Sequence, residues 1–140
     1  TFMVSTECDI MYDSGLVEEC ISFLNPEEKI YLQTYSTKQE ENGEFGKVKI
    51  RIGNGCFQCF RTKDFDAVGG YNPFITGWGN EDIDFRLRLI RYGCREIQLK
   101  SVVYHMWHPS TVNRKESKVN NDIIKKTYWD GMRWVKSDRN

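Results

Sequence analysis

The tightest constraint on the fold of this chain is an alternation. Short apolar runs, each about a strand long, take turns with capped amphipathic stretches. Residues 2–5 are an apolar run that stops at Thr6-Glu7-Cys8-Asp9, which predicts a buried strand ending in acids. Ser14 stands as a cap before a helical pattern over 15–24, with Leu16, Val17, Cys20, Ile21 and Leu24 on one face; Asn25-Pro26 closes it. Strand patterns follow at 29–35 and at 47–52, the second expected at a sheet edge; residues 37–46 between them are a polar, glycine-bearing loop. A turn at Gly53-Asn54-Gly55 leads into a strand over 56–61. Thr62 caps a short helix to about residue 68, ended by Gly69-Gly70. Residues 71–79 read as a loop, and Asn80 as the cap of a helix over 81–92 closed by Gly93. Strands are expected at 95–99 and 102–107, and a last helix over 119–135 carries Ile123, Ile124, Tyr128, Met132 and Val135. This order predicts an α/β fold, a mixed sheet flanked by helices.

At 140 residues the chain is one domain by length, large enough to bury a real core. Twenty basic and twenty acidic side chains cancel, which argues against a nucleic-acid surface. The nearest basic patch, Arg114, Lys115, Lys118, Lys125 and Lys126, is diluted by acids. Five cysteines, at 8, 20, 56, 59 and 94, make no even framework of the kind a secreted disulfide scaffold needs. Cys56 and Cys59 have the spacing of a redox or zinc motif, but Phe57 and Phe60 interleave with them, so they read as core. No apolar run is long enough for a membrane span and no signal peptide is visible, so a cytoplasmic location is expected, peripheral to a membrane in a longer parent. The chain opens on Thr-Phe-Met-Val rather than on an initiator methionine, which suggests an excised segment.

Three clusters carry chemistry. Glu7 and Asp9, one residue apart after a strand, suit a hard divalent ion shared with phosphates; taken alone they read more readily as a solvated strand end. His105 and His108, three apart before a proline, are the chain's two histidines, and an imidazole can complete a Mn²⁺ site. The third cluster is Gly77-Trp78-Gly79-Asn80-Glu81-Asp82-Ile83-Asp84. Its acids open a helix whose arginines come later, as the helix dipole favours. Ile83, Leu87 and Ile90 are the expected core face. The two glycines are not explained by a helix start; they let backbone take unusual dihedrals and let a partner approach. Trp78 offers a face to a sugar ring, and a neighbouring carboxylate can take a proton from a sugar hydroxyl. A helix N-terminus would hold that carboxylate ionised.

Together, in this order, these segments resemble the C-terminal half of a GT-A fold glycosyltransferase of the family 2 type. They are also similar to the galactosyltransferase C-terminal domain and to bacterial chondroitin polymerase. STECDIM looks like the DxD metal motif, with Glu7 in place of the first Asp. GNGCFQCFRTKDFDAVGGYNP looks like the segment before the acceptor site. GWGNEDIDFRLRLIRYG looks like the W-G-x-E-D motif and its helix, and VVYHMWHP like the strand that brings the metal-binding histidine. The similarity spans residues 2 to 108. It implies a partial GT-A fold and an inverting, metal-dependent transfer of a sugar from a UDP-sugar donor to a saccharide acceptor. It implies roles too: Asp9 on Mn²⁺ (or Mg²⁺), Glu7 near the ribose or the metal, and His105 as the third metal contact with His108 the alternative. Asp82 would be the base, Glu81 would position the acceptor, and Trp78 and Gly79 would line the sugar platform. A rival from another class is a non-catalytic glycan- or nucleotide-sugar-binding module; a third reading is a structural domain whose charged turns are helix caps.

In the family the nucleotide is held largely by an N-terminal βαβ region before the DxD strand, and this chain starts almost at that strand. Residues 1–140 are therefore expected to be the C-terminal portion of a catalytic domain that lacks most of the nucleotide pocket. They are also expected to be prone to self-association through an uncovered sheet edge. The expected outcome of mixing this chain with UDP-sugars and Mn²⁺ is little or no turnover, and robust multiple turnover would contradict it.

Overall fold

A computed structural model describes residues 1–48, 55–109 and 114–136. In chain order they form β1 (Phe2–Thr6), β2 (Ile10–Tyr12), α1 (Gly15–Phe23), β3 (Ile30–Lys38), β4 (Phe57–Arg61), α2 (Thr62–Ala67), α3 (Glu81–Arg91), β5 (Arg95–His105), α4 (Arg114–Lys126), β6 (Thr127–Trp129) and β7 (Trp134–Lys136). Five strands make one sheet in the order β1-β4-β3-β5-β2, and β6-β7 is a separate hairpin. The β3–β5 pair is parallel while β1–β4, β3–β4 and β2–β5 are antiparallel, so the fold is α/β with a mixed sheet, as the sequence predicts.

The period-two alternation of strand side chains assigns residues to the two faces. Ile30, Leu32, Phe57, Cys59, Leu99 and Val103 pack against Leu16 and Cys20 of α1. Tyr31 and Phe60, in between, point to the other face and pack with Val68, Phe85, Leu89 and Cys94. Cys56 and Cys59 are buried, as the core reading holds. The charges that go inside are paired. Arg61, at the end of β4, is 3% exposed and makes two bonds of 2.6 Å to the fully buried Asp64, while its third nitrogen donates to the Pro26 carbonyl.

Several expectations are corrected. On α3 the buried residues are Asp84, Phe85 and Leu89, and Leu87 is exposed. The helix is turned because Arg88, held by Asp84, donates to the Val68 and Gly70 carbonyls and so takes the face against α2. On α1 the stripe is narrower than expected: Val17 and Ile21 are exposed. Neither Ser14, Thr62 nor Asn80 caps a helix with its side chain; the Gly15 amide is met by Asp13 instead. The two strands expected at 95–99 and 102–107 are the single strand β5, whose register with β3 shifts between Gln33 and Tyr35. β3 runs on to Lys38, into the expected loop, and β2 had no reading at all. From residue 49 on, the edge strand expected at 47–52 lies outside the described residues, as do Gly53 and Asn54.

The last helix is also different. α4 ends at Lys126, and Met132, expected in its core stripe, is 88% exposed. A hairpin follows, with Trp129 opposite Trp134. Asp130 accepts from the Met132 and Arg133 amides and Gly131 takes a positive φ, so Asp-Gly closes a turn that a helix cannot pass.

Asp64→Ala would strand the Arg61 charge in the core. It should lower unfolding free energy by about 3–5 kcal/mol in urea titration, while a double replacement by apolar residues should cost far less.

Candidate active site

The turn between β1 and β2 carries Glu7 and Asp9. β2 pairs antiparallel with the end of β5, placing Ile10 opposite His105, and the Met106 amide donates to the Asp9 carbonyl. That register brings two distant stretches into contact. His108 Nε2 lies 3.2 Å and His105 Nε2 3.6 Å from Asp9 Oδ2, and Glu7 Oε2 is 3.7 Å from His105 Nε2. One ligand atom from each of Asp9, His105 and His108 falls within 4.8 Å of the others. The structure therefore does not choose between the two histidines; it gathers both.

The imidazoles are oriented alike. His105 Nδ1 is 2.9 Å from the Met106 carbonyl and His108 Nδ1 is 2.8 Å from the Pro109 carbonyl. With Nδ1 protonated and donating there, each Nε2 keeps its lone pair on the Asp9 side, the arrangement metal-binding histidines use. One carboxylate with two imidazoles is a donor set that suits a divalent transition-metal ion. Beside His105 a small cavity of about 100 Å³ is lined by Lys38 and Lys47. Neither cation is singled out in the sequence, where Lys38 falls in the polar loop and Lys47 opens the expected edge strand.

Asp82 opens α3 and reaches the same region. A methyl group built on Gly55 would stand 3.4 Å from Glu7 Oε1 and 3.5 Å from Asp82 Oδ2, so the two carboxylates flank one glycine. Gly55 is thus a site residue that sequence reading took for turn punctuation. Burial pushes the Asp82 pKa up to about 6, the Glu81 carboxylate adds to the rise, and hydrogen bonds from the Ile83 and Gly55 amides oppose it. The helix-start argument predicted the opposite. The favourable field of a helix end is a surface-scale effect, and loss of hydration outweighs it here. Glu81 itself is exposed.

Trp78 is 41% exposed, as a platform requires, and its loop is braced from α4. Its amide donates to Glu116 Oε2, while Asn120, 1% exposed, donates to the Trp78 and Gly79 carbonyls and Asn80 donates to Ser117. Gly77 has φ 70°, and a side chain there would meet the Glu116 carboxylate at 2.6 Å. Gly77 is therefore accounted for by the close approach of α4, and Gly79 by its φ of 95°. Glu116 and Asn120 lie a helical turn apart on one face, but nothing in the sequence says what that face meets.

Residues 47–109 match a family model described as the N-terminal domain of galactosyltransferase, where the motif resemblance was to the C-terminal one. The match supports a glycosyltransferase-family domain. It covers Gly55, Trp78, Asp82 and both histidines, and not Glu7 or Asp9. No curated protein matches the chain. Among the described residues no helix is long and apolar enough to cross a membrane.

The raised pKa has a consequence for stability. In the unfolded chain Asp82 releases its proton near its ordinary 3.8, in the folded chain only near 6. Between those values the native state binds more protons, so stability falls as pH rises and the full penalty stands above 6. Asp82→Asn should therefore raise unfolding free energy at pH 7 by on the order of 2 kcal/mol, and the gain should vanish below about pH 4, as read by denaturant titration in chelator.

Proposed function

We propose that this chain is the acceptor-side and metal-side part of an inverting glycosyltransferase domain of partial GT-A fold. It would transfer a sugar from a UDP-sugar to a hydroxyl of a saccharide acceptor. The observation that carries the reading is the junction of Asp82, Glu7, Asp9 and His105 around Gly55 and the β2–β5 register. The family match adds to it.

Asp82 acts as general base. A carboxylate with a pKa near 6 is ionised at neutral pH yet strong enough to take a proton from an acceptor hydroxyl as that oxygen attacks. Trp78 offers an exposed ring face for the acceptor sugar, and Glu81 accepts from its hydroxyls. Asp9, His105 and His108 would hold Mn²⁺ (or Mg²⁺), with Glu7 close to them. When bound, the ion supplies Lewis-acid stabilisation of the leaving diphosphate. Lys38 and Lys47 add positive charge where that diphosphate would collect.

Assayed in the longest chain that carries these residues, Asp82→Asn should lower kcat by roughly 10²–10⁴ with little change in acceptor KM. A glycan-binding module without chemistry would show no turnover and keep its acceptor affinity in the variant. In calorimetry Asp9→Ala, His105→Ala and His108→Ala should each weaken Mn²⁺ binding at least tenfold. If all three variants bind Mn²⁺ like the parent, the metal assignment is wrong.

A further inference from the structure

A second pocket lies on the other side of α3. Asp82 and Asp84 are two residues apart, hence about 200° apart around the helix axis, and face different neighbours. Asp84 lines a cavity of about 320 Å³ between α3 and the α4–hairpin segment, together with Arg91, Tyr92, Tyr128, Trp129 and Trp134. Nothing in the transfer chemistry uses this cavity.

Its rings are held in place by the protein. Gly69 lies so close under Trp129 that a methyl there would meet the indole at 2.5 Å. The Arg88 guanidinium sits over Trp134 at 4.4 Å, and the Trp134 indole N–H donates to the Gly69 carbonyl at 2.9 Å. Lys29 sits over Tyr92 at 3.5 Å. Tyr128 and Tyr92 nevertheless remain 47% and 39% exposed. Such rings are rigid apolar platforms that lose little freedom when a ligand lands on them.

The polar groups of the cavity are mixed in kind. Both Arg88 bonds to Asp84 land on Oδ2, and Oδ1 takes neither. Asp84 is 6% exposed and lines the cavity, so its carboxylate presents an acceptor at the cavity wall. Among the described residues Arg91 makes no ion pair and is exposed, so it is a donor. Arg88 already neutralises Asp84, and a cationic ligand would meet Arg91. A ligand with an apolar C–H face and a rim of hydroxyls that both donate and accept matches the whole set. We propose that this cavity binds a neutral pyranose sugar at a site separate from the Asp82 pocket. The proposal does not rest on the transfer reading and holds equally for a glycan-binding module.

The test is a titration of ¹⁵N-labelled protein with methyl β-galactoside, methyl β-glucoside, N-acetylglucosamine and N-acetylgalactosamine to tens of millimolar. At least one sugar should give saturable shifts of the Trp129 and Trp134 indole N–H signals. Tyr128→Ala and Arg91→Gln, both at exposed positions, should each weaken that binding about tenfold with unchanged melting temperature. Trp78→Ala should leave the indole shifts intact, which separates this cavity from the transfer site. The proposal is overturned if no sugar saturates, if Trp78→Ala abolishes the shifts, or if both cavity variants bind like the parent.

Discussion

The parallel pairing of β3 with β5 is the contact on which the rest of the molecule depends. It runs from Ile30 opposite Arg95 to Lys38 opposite His105. At its start, Glu96 accepts two bonds of 2.6 Å from Arg86 and one from Gln33, which fastens α3, and with it Asp82, to the sheet. At its far end the same strand delivers His105 to Asp9. One strand therefore sets the two sides of the site. Its irregularity is tended too: the Glu19 carboxylate of α1 accepts from the Lys100 and Ser101 amides and the Ser101 hydroxyl, where the register slips. Backbone groups that lose ladder partners need others, and Glu19 provides them.

Around that strand, two charged groups face opposite fates. Arg61 and Asp64 are sealed in the core as a bidentate pair that satisfies both. Asp82 is half-buried with no ion-pair partner among the described residues, so its charged form is disfavoured and its pKa rises to about 6. The first arrangement is structural. The second is unfavourable for folding and useful for a base, the trade common where chemistry is done. The α4 helix supports it indirectly, since Glu116 and Asn120 fix the loop that enters α3.

Much of the architecture was legible in the residues. The helix starts at Gly15 and Glu81, the strand before Thr62 and the mixed α/β class followed from periodicity and turn chemistry. The reading failed where neighbours remote in sequence decide. Lys100-Ser101 looked like a break between two strands because the partner that tolerates it, Glu19, is some eighty residues away. Residues 127–135 kept an apolar spacing that suits a helix, yet Asp130-Gly131 and the Trp129–Trp134 pair make a hairpin. The α3 face was misjudged because Arg88 finds carbonyls at Val68 and Gly70.

The sequence by itself determined that carboxylates and a tryptophan open one helix, that two acids follow the first strand, and that both histidines end an apolar run. Those are statements about residues a few positions apart, where backbone geometry alone fixes who is near whom. Only the tertiary structure decided that Asp9 sits beside both histidines, that Glu7 and Asp82 both come close to Gly55, and that the Asp82 pKa rises to about 6. Distances across the sheet and the loss of water around a carboxylate are sums over contacts from the whole chain, and no local pattern contains them.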